Sequence, residues 1–114
     1  TIAERGGAQR PDAFHGALDR ALSGFRPDFV LVSSGFDCLR GDPLGAFLLE
    51  PADLHAMTRA VVERADALCD GRVVAVLEGG YVPERVGAGA VAVIRALADL
   101  PAPEEGEAPE LRPV

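Results

Sequence analysis

The sequence predicts an α/β fold, a parallel sheet with flanking helices, and three observations point there. Two short unbroken apolar runs, 29–32 and 73–77, have the length and composition of strands buried on both faces. Segments with helical apolar spacing precede, separate and follow them, and strands alternating with helices form parallel sheets with right-handed crossovers. The stretches that leave each strand are rich in glycine and proline, the residues of sharp turns.

Residues 1–10 hold the Gly6-Gly7 pair and little apolar pattern, and read as an incoming loop. A helix is expected over 11–25, where Phe14, Leu18, Ala21, Leu22 and Phe25 form one stripe. Pro11 suits its first turn and Gly24 its stop. Arg26-Pro27-Asp28 then breaks the chain ahead of the first strand. The connection from Ser34 to Glu50 contains Gly35, Gly41, Pro43 and Gly45. A link of that length inside a compact domain is usually functional. Pro51 opens a second helix to about Asp70, with Leu54, Met57, Val61, Ala65 and Leu68 inward and Gly71 as a left-handed cap. The second strand ends in the turn Glu78-Gly79-Gly80-Tyr81. A third helix follows over 83–100, with Val86, Ala90, Val93, Ile94 and Leu97 inward. Over 101–114, four prolines and four glutamates make a flexible tail, too polar and kinked to pack. The folded part is thus 11–100. Two doubly buried strands need neighbours on their edges, which three helices do not supply, so the sheet reads as part of a larger one.

The 114 residues are 48% hydrophobic and 25% charged, the composition of one soluble globular domain. No apolar run approaches the roughly 18 residues of a membrane span, and no secretory leader is visible. A chain that begins at Thr1 rather than Met implies processing or truncation. The net charge is −7 and every cation is arginine, a balance unsuited to gripping a phosphate backbone, which excludes direct nucleic-acid binding. Cys38 and Cys69 form no framework and read as free thiols of a reducing cytoplasm.

In open parallel sheets, ligands bind beyond the carboxyl ends of the strands. Two loops lie there. The first, 33–45, holds Asp37 and Asp42 among glycines; the second sets Tyr81 behind Gly79-Gly80. A carboxylate and a phenol at adjacent strand ends suit a metal-assisted reaction, one holding a divalent cation and the other donating to a developing oxyanion. On spacing alone, such an aspartate is more often a turn residue and such a tyrosine an anchor. One carboxylate is also not a metal site, because catalytic zinc takes about three protein ligands.

Taken together, the loops carry a resemblance. The stretch Arg26-Pro27-Asp28-Phe29-Val30-Leu31-Val32-Ser33-Ser34-Gly35-Phe36-Asp37, followed by Arg40-Gly41-Asp42-Pro43-Leu44-Gly45, strongly resembles the histone deacetylase superfamily. So does Val76-Leu77-Glu78-Gly79-Gly80-Tyr81. The form Gly35-Phe36-Asp37 is similar to the class II and bacterial branch, with its acetylpolyamine amidohydrolases and acetoin-utilisation proteins. The resemblance runs from about 11 to 100. It implies an arginase-like three-layer fold around an eight-stranded parallel sheet, of which this chain resembles the C-terminal part with the last two core strands.

The resemblance further implies a zinc-dependent amidohydrolase, with Fe2+ as the alternative metal, that removes acetyl groups from acetyl-lysine or acetylpolyamine-type substrates. Asp37 matches the family's zinc-ligating aspartate, and Tyr81 the catalytic tyrosine that hydrogen-bonds the acetyl carbonyl. Pro43 and Leu44 match residues lining the acyl-lysine tunnel; Gly79 and Gly80 match the glycines of its wall. Asp42 is expected to be structural, holding backbone N–H groups. Leu39 stands where the bacterial pattern often has histidine or another polar residue, so an altered tunnel rim is expected. Tyr81, in place of histidine, favours a true deacetylase. The family's histidine pair and Asp-x-His ligands are absent from this sequence. His15 and His55 lie on predicted helices, as solvated or capping residues, so the chain alone is expected to be inactive. The alternative is a noncatalytic α/β module that forms homo-oligomers through open sheet edges. A redox role for Cys38 is disfavoured, because a neighbouring carboxylate raises a thiol pKa.

Overall fold

Two valine-rich strands pair in parallel in the computed structural model, which describes residues 11–104. The expected incoming loop (1–10) and most of the expected tail (105–114) lie outside the described residues. Among the described residues the order is α1 (Pro11–Leu22), β1 (Val30–Ser34), α2 (Pro51–Cys69), β2 (Val73–Leu77) and α3 (Pro83–Leu97). Val30 stands opposite Val73 and Ser34 opposite Leu77, with α2 as the crossover. The α/β class and the parallel pairing are as the alternation of elements predicts.

Several boundaries have local causes. The first helix stops at Leu22, short of the expected Phe25, because the Ser23 hydroxyl turns back to the Arg20 carbonyl at 2.9 Å. Phe25 is consequently 67% exposed and plays no part in the core. At the start of α2, Asp53 accepts the Glu50 backbone N–H at 2.8 Å. The same helix ends as Asp70 and then Gly71 turn left-handed, φ 55° and 72°, one residue earlier than expected. The third helix ends at Leu97, and the Leu100 N–H closes back on the Arg95 carbonyl at 2.8 Å.

The core gathers beside the carboxyl ends of the strands. Phe36, Leu39 and Leu49 from the long connection pack with Leu54 of α2 and Val93 of α3. Met57, Ala75, Val86 and Ala90 close around them. Two expectations about burial are corrected here. First, α3 turns Gly89, Ala92, Val93 and Ala96 inward, whereas Ile94 is 62% and Leu97 37% exposed. Small residues let α3 approach closely: a Cβ on Gly89 would run into Phe36 and Leu39. Second, the strands are covered on one face only. Val30, Val32, Val73 and Ala75 are half-buried, while Leu31 is 71%, Val74 45% and Val76 51% exposed. Ala75 packs into the cluster formed with α2 and α3, so these helices share that face and the described residues leave the other bare.

Candidate active site

Beyond the strand ends the ladder continues: the Glu78 N–H donates to the Ser34 carbonyl at 2.9 Å, and the Phe36 N–H to the Gly79 carbonyl at 2.8 Å. The two loops therefore leave the sheet side by side. A turn closed by the Leu39 N–H on the Phe36 carbonyl, 3.2 Å, encloses Asp37 and Cys38. Its two ends are apolar anchors, Phe36 and Leu39, both sunk in the core. Asp37 is thus held half-buried by the burial of its neighbours. Backbone bonds between Arg40 and Leu49 (2.9 Å) and between Leu49 and Cys38 (3.3 Å) close the first loop on itself.

Gly79 is where the two loops meet. A Cβ built there would lie 3.2 Å from Asp37 Oδ2 and 3.6 Å from the Tyr81 hydroxyl, so both functional groups flank the same bare Cα. Gly80 adopts φ 133°, which L side chains rarely tolerate, and its missing Cβ leaves room for Val86 and Phe36. That turn reverses the chain and leaves Tyr81 55% exposed. On the other side, a Cβ on Gly45 would collide with the Asp37 carbonyl. The Asp37 carboxylate itself takes no hydrogen bond from the described residues.

Asp42 is its opposite. Only 7% exposed, its carboxylate accepts three backbone N–H groups: Leu44 at 2.8 Å and Gly45 at 3.2 Å on Oδ1, and Tyr81 at 2.9 Å on Oδ2. Burial pushes the Asp42 carboxyl up, but the N–H groups of Leu44, Tyr81 and Gly45 outweigh it and leave it below the ordinary aspartate range. Cys38 shifts the other way: burial pushes its thiol up, and Asp37 and Asp42 add to the effect. A thiol so placed is a poor nucleophile at neutral pH. Around the outside, Glu50 accepts from Arg40 at 2.7 Å and from Arg85 at 2.8 Å, and Arg85 also donates to the Arg40 carbonyl at 3.0 Å. The Arg85 guanidinium, with Arg40, holds the Glu50 carboxyl below its usual range despite partial desolvation.

The profile of the histone deacetylase domain family matches residues 4–97. The chain belongs to the histone deacetylase domain family. Histone deacetylase 15 of Arabidopsis thaliana is 42% identical over 85 residues, covering 75% of this chain and 15% of that protein. The histone deacetylase-like amidohydrolase of Pseudomonas aeruginosa is 40% identical over 90 residues, 75% of this chain and 24% of the relative. The crystal structure of the HDA15 HD domain superposes with a TM-score of 0.68 at 41% identity, covering 77% of this chain and 24% of that one. The chain therefore has the deacetylase fold and spans a quarter or less of the length of these relatives.

Within this deacetylase segment, the structure brings Asp37, Gly79, Gly80 and Tyr81 together. Pro43 and Leu44 sit on the exposed tip of the first loop, Leu44 at 74%. Leu39 is not at a rim: it is fully buried, because it anchors the Asp37 turn in the core, and the expectation of an altered rim is corrected. His55 Nε2 meets the Leu100 carbonyl at 2.7 Å, fastening α2 to the chain after α3. The expectation of a solvated or capping His15 is corrected, since its Nε2 is buried and its ring packs edge-on to Phe14. Among the described residues no three of His, Cys, Asp and Glu are placed to hold a metal ion, so Asp37 has no companions there for the three protein ligands a catalytic zinc takes. Sequence reasoning missed the Arg40–Glu50–Arg85 cluster and the reach of Asp42 to Tyr81, which join positions too far apart for any local pattern to signal.

Proposed function

We propose that this chain is the part of a zinc-dependent amidohydrolase, of the class II and bacterial deacetylase branch, that supplies one metal-ligating carboxylate and the oxyanion donor. The substrates are acetyl-lysine or acetylpolyamine-type amides, and the setting is a reducing cytoplasm that suits the free thiols Cys38 and Cys69. One observation carries the reading: a carboxylate with no hydrogen-bond partner among the described residues, Asp37, and an exposed phenol, Tyr81, flank the same bare glycine at adjacent strand ends.

The chemistry follows from what each group offers. When water adds to an amide carbonyl, negative charge develops on the carbonyl oxygen, and a hydroxyl donor placed there strengthens its bond as the charge grows. Tyr81 carries such a donor on a backbone fixed at its N–H by Asp42. Asp37 offers an anionic oxygen for which the described residues provide no other partner. Gly79 leaves the Cα between them bare, and Pro43 and Leu44, exposed on the first loop, are the apolar side chains that this reading assigns to the acyl chain. The remaining ligands and the general base lie outside the described residues in this proposal.

In the intact enzyme, Tyr81→Phe is expected to lower turnover of acetyl-lysine or acetylpolyamine by on the order of 10²–10³ while metal content is retained. Equal activity in that variant, with metal content measured alongside, would refute the assignment. A second reading, a noncatalytic module that self-associates, is favoured by a different observation, the bare face of a two-stranded sheet.

A further inference from the structure

We infer that Asp42 is the positioning residue of this site, a buried carboxylate that fixes the Tyr81 backbone to the loop carrying Asp37. The inference rests on the deacetylase reading for its catalytic meaning, but its physical content stands on three hydrogen bonds, one close backbone approach and the burial of Asp42.

Tyr81 is 55% exposed and lies outside the helices and strands, so packing does little to hold its phenol. Its ring orientation depends instead on where its own backbone is pinned. The Tyr81 N–H donates to Asp42 Oδ2 at 2.9 Å. The other oxygen of the same carboxylate collects the N–H groups of Leu44 and Gly45, at 2.8 and 3.2 Å. Gly45 in turn lies so close to the Asp37 carbonyl that no side chain fits between them. A contiguous path therefore runs from the Tyr81 backbone through Asp42 and Gly45 to the Asp37 backbone. Every link is a short polar bond or a van der Waals contact, and the carboxylate at its centre is shielded from water. A bond from N–H to an ionised, buried acceptor is stronger than a neutral one and is not exchanged for solvent without loss. Gly79 leaves room for Asp37 and Tyr81 on one side, and Asp42 holds their loops together on the other.

Asp42→Asn separates the two duties of this carboxylate. Asparagine has one acceptor oxygen, which the Leu44 and Gly45 N–H groups claim as a pair, so the amide nitrogen is left facing the Tyr81 N–H as donor against donor. The local turn survives and the link to the second loop breaks. Amide hydrogen exchange read residue by residue on the full chain tests this. In the unsubstituted protein the Tyr81 N–H is expected to be protected despite its exposed side chain. In Asp42→Asn it exchanges about tenfold faster or more, while Leu44 and Gly45 keep their protection. The chain has a single tyrosine and no tryptophan, so its emission reports the phenol alone, and the anisotropy of that emission is expected to fall in the same variant.

An unprotected Tyr81 N–H in the unsubstituted protein overturns the inference, and that measurement holds even where the variant fails to fold. A folded Asp42→Asn with unchanged exchange and anisotropy overturns it as well. In the intact enzyme the variant is expected to lower kcat by about tenfold with KM little changed, through misplacement of the phenol. Loss of activity in Tyr81→Phe together with full kcat in Asp42→Asn refutes positioning alone; full activity in Tyr81→Phe refutes the deacetylase reading and leaves the exchange result to stand by itself.

Discussion

A methyl group added to Gly79 would sit 3.2 Å from Asp37 Oδ2, 3.4 Å from its Cγ and 3.6 Å from the Tyr81 hydroxyl. These separations are tight without being impossible, and Gly79 does not occupy the left-handed region, so alanine is compatible with the backbone. The strain goes into the site instead of the fold: the Asp37 carboxylate has to turn away by a few tenths of an ångström. Gly79→Ala in the intact enzyme is therefore expected to melt within about 1 kcal/mol of the parent. Its kcat/KM falls by about tenfold, since a full ångström of misplacement costs on the order of 10². Gly80→Ala behaves differently, because φ 133° and a 2.6 Å approach to Val86 Cγ2 put the strain into the backbone. Unchanged kinetics in Gly79→Ala would mean that the open space beside Asp37 and Tyr81 has no role in the reaction.

Between elements, Glu50 is the hub. It stands at the start of α2, receives Arg40 from the first loop and receives Arg85 from α3, so one side chain ties three segments together. Exposed ion pairs are worth little singly, about 0.2–1 kcal/mol, but here two share one carboxylate. Glu50→Ala is expected to destabilise the chain by about 1–2 kcal/mol in a urea melt. The pH dependence has a definite sign. Glu50, Asp42 and Asp19, whose carboxylate accepts from the Arg64 guanidinium at 2.6 Å, all titrate below their ordinary values in the folded chain, so the folded state binds fewer protons than the unfolded one. Their stabilisation is complete above about pH 5 and is lost as the pH falls through the folded values. Glu50→Ala is expected to flatten that acid limb, and an acid limb identical to the parent's would show that the Glu50 pairs are not formed in solution.

The elements also show what a sequence can and cannot carry. The ends of α2 and β2 are legible because each is punctuated locally, by Pro51, by the left-handed Asp70-Gly71 cap and by the Gly79-Gly80 turn. The inward face of α3 is legible only in part: Val86, Ala90 and Val93 pack at the core as their spacing predicts, and Ile94 does not. Val93 and Ile94 are neighbours of equal apolarity, and which one is buried is decided by Phe36 and Leu39, loop residues that come from more than fifty positions away. The two faces of the strands read alike for the same reason. Asp37 and Tyr81 are legible as parts of motifs, yet the bond from Tyr81 to Asp42 spans 39 residues and has no local signature.

For the whole molecule, the decisive feature is the sheet. Among the described residues, two strands present two open edges and a face on which Leu31, Val74 and Val76 are 71%, 45% and 51% exposed. Fully burying a valine or leucine side chain is worth about 1.5–3 kcal/mol, so covering this face returns several kcal/mol to whatever covers it. The deacetylase fold accounts for such a surface in a chain that spans 24% of the HDA15 HD domain, and in the chain by itself a second copy would be needed to cover it. At tens of micromolar the 11.9 kDa chain is accordingly expected to scatter light as a dimer or larger. A pair of substitutions, Leu31→Glu and Val76→Glu, sets like charges on the bare face and is expected to return it to the mass of one chain without loss of helical signal. If the unsubstituted chain already has the mass of a monomer, the module reading falls. If the charged variant stays associated, the contact runs through the open strand edges, whose backbone N–H and C=O groups no surface charge removes.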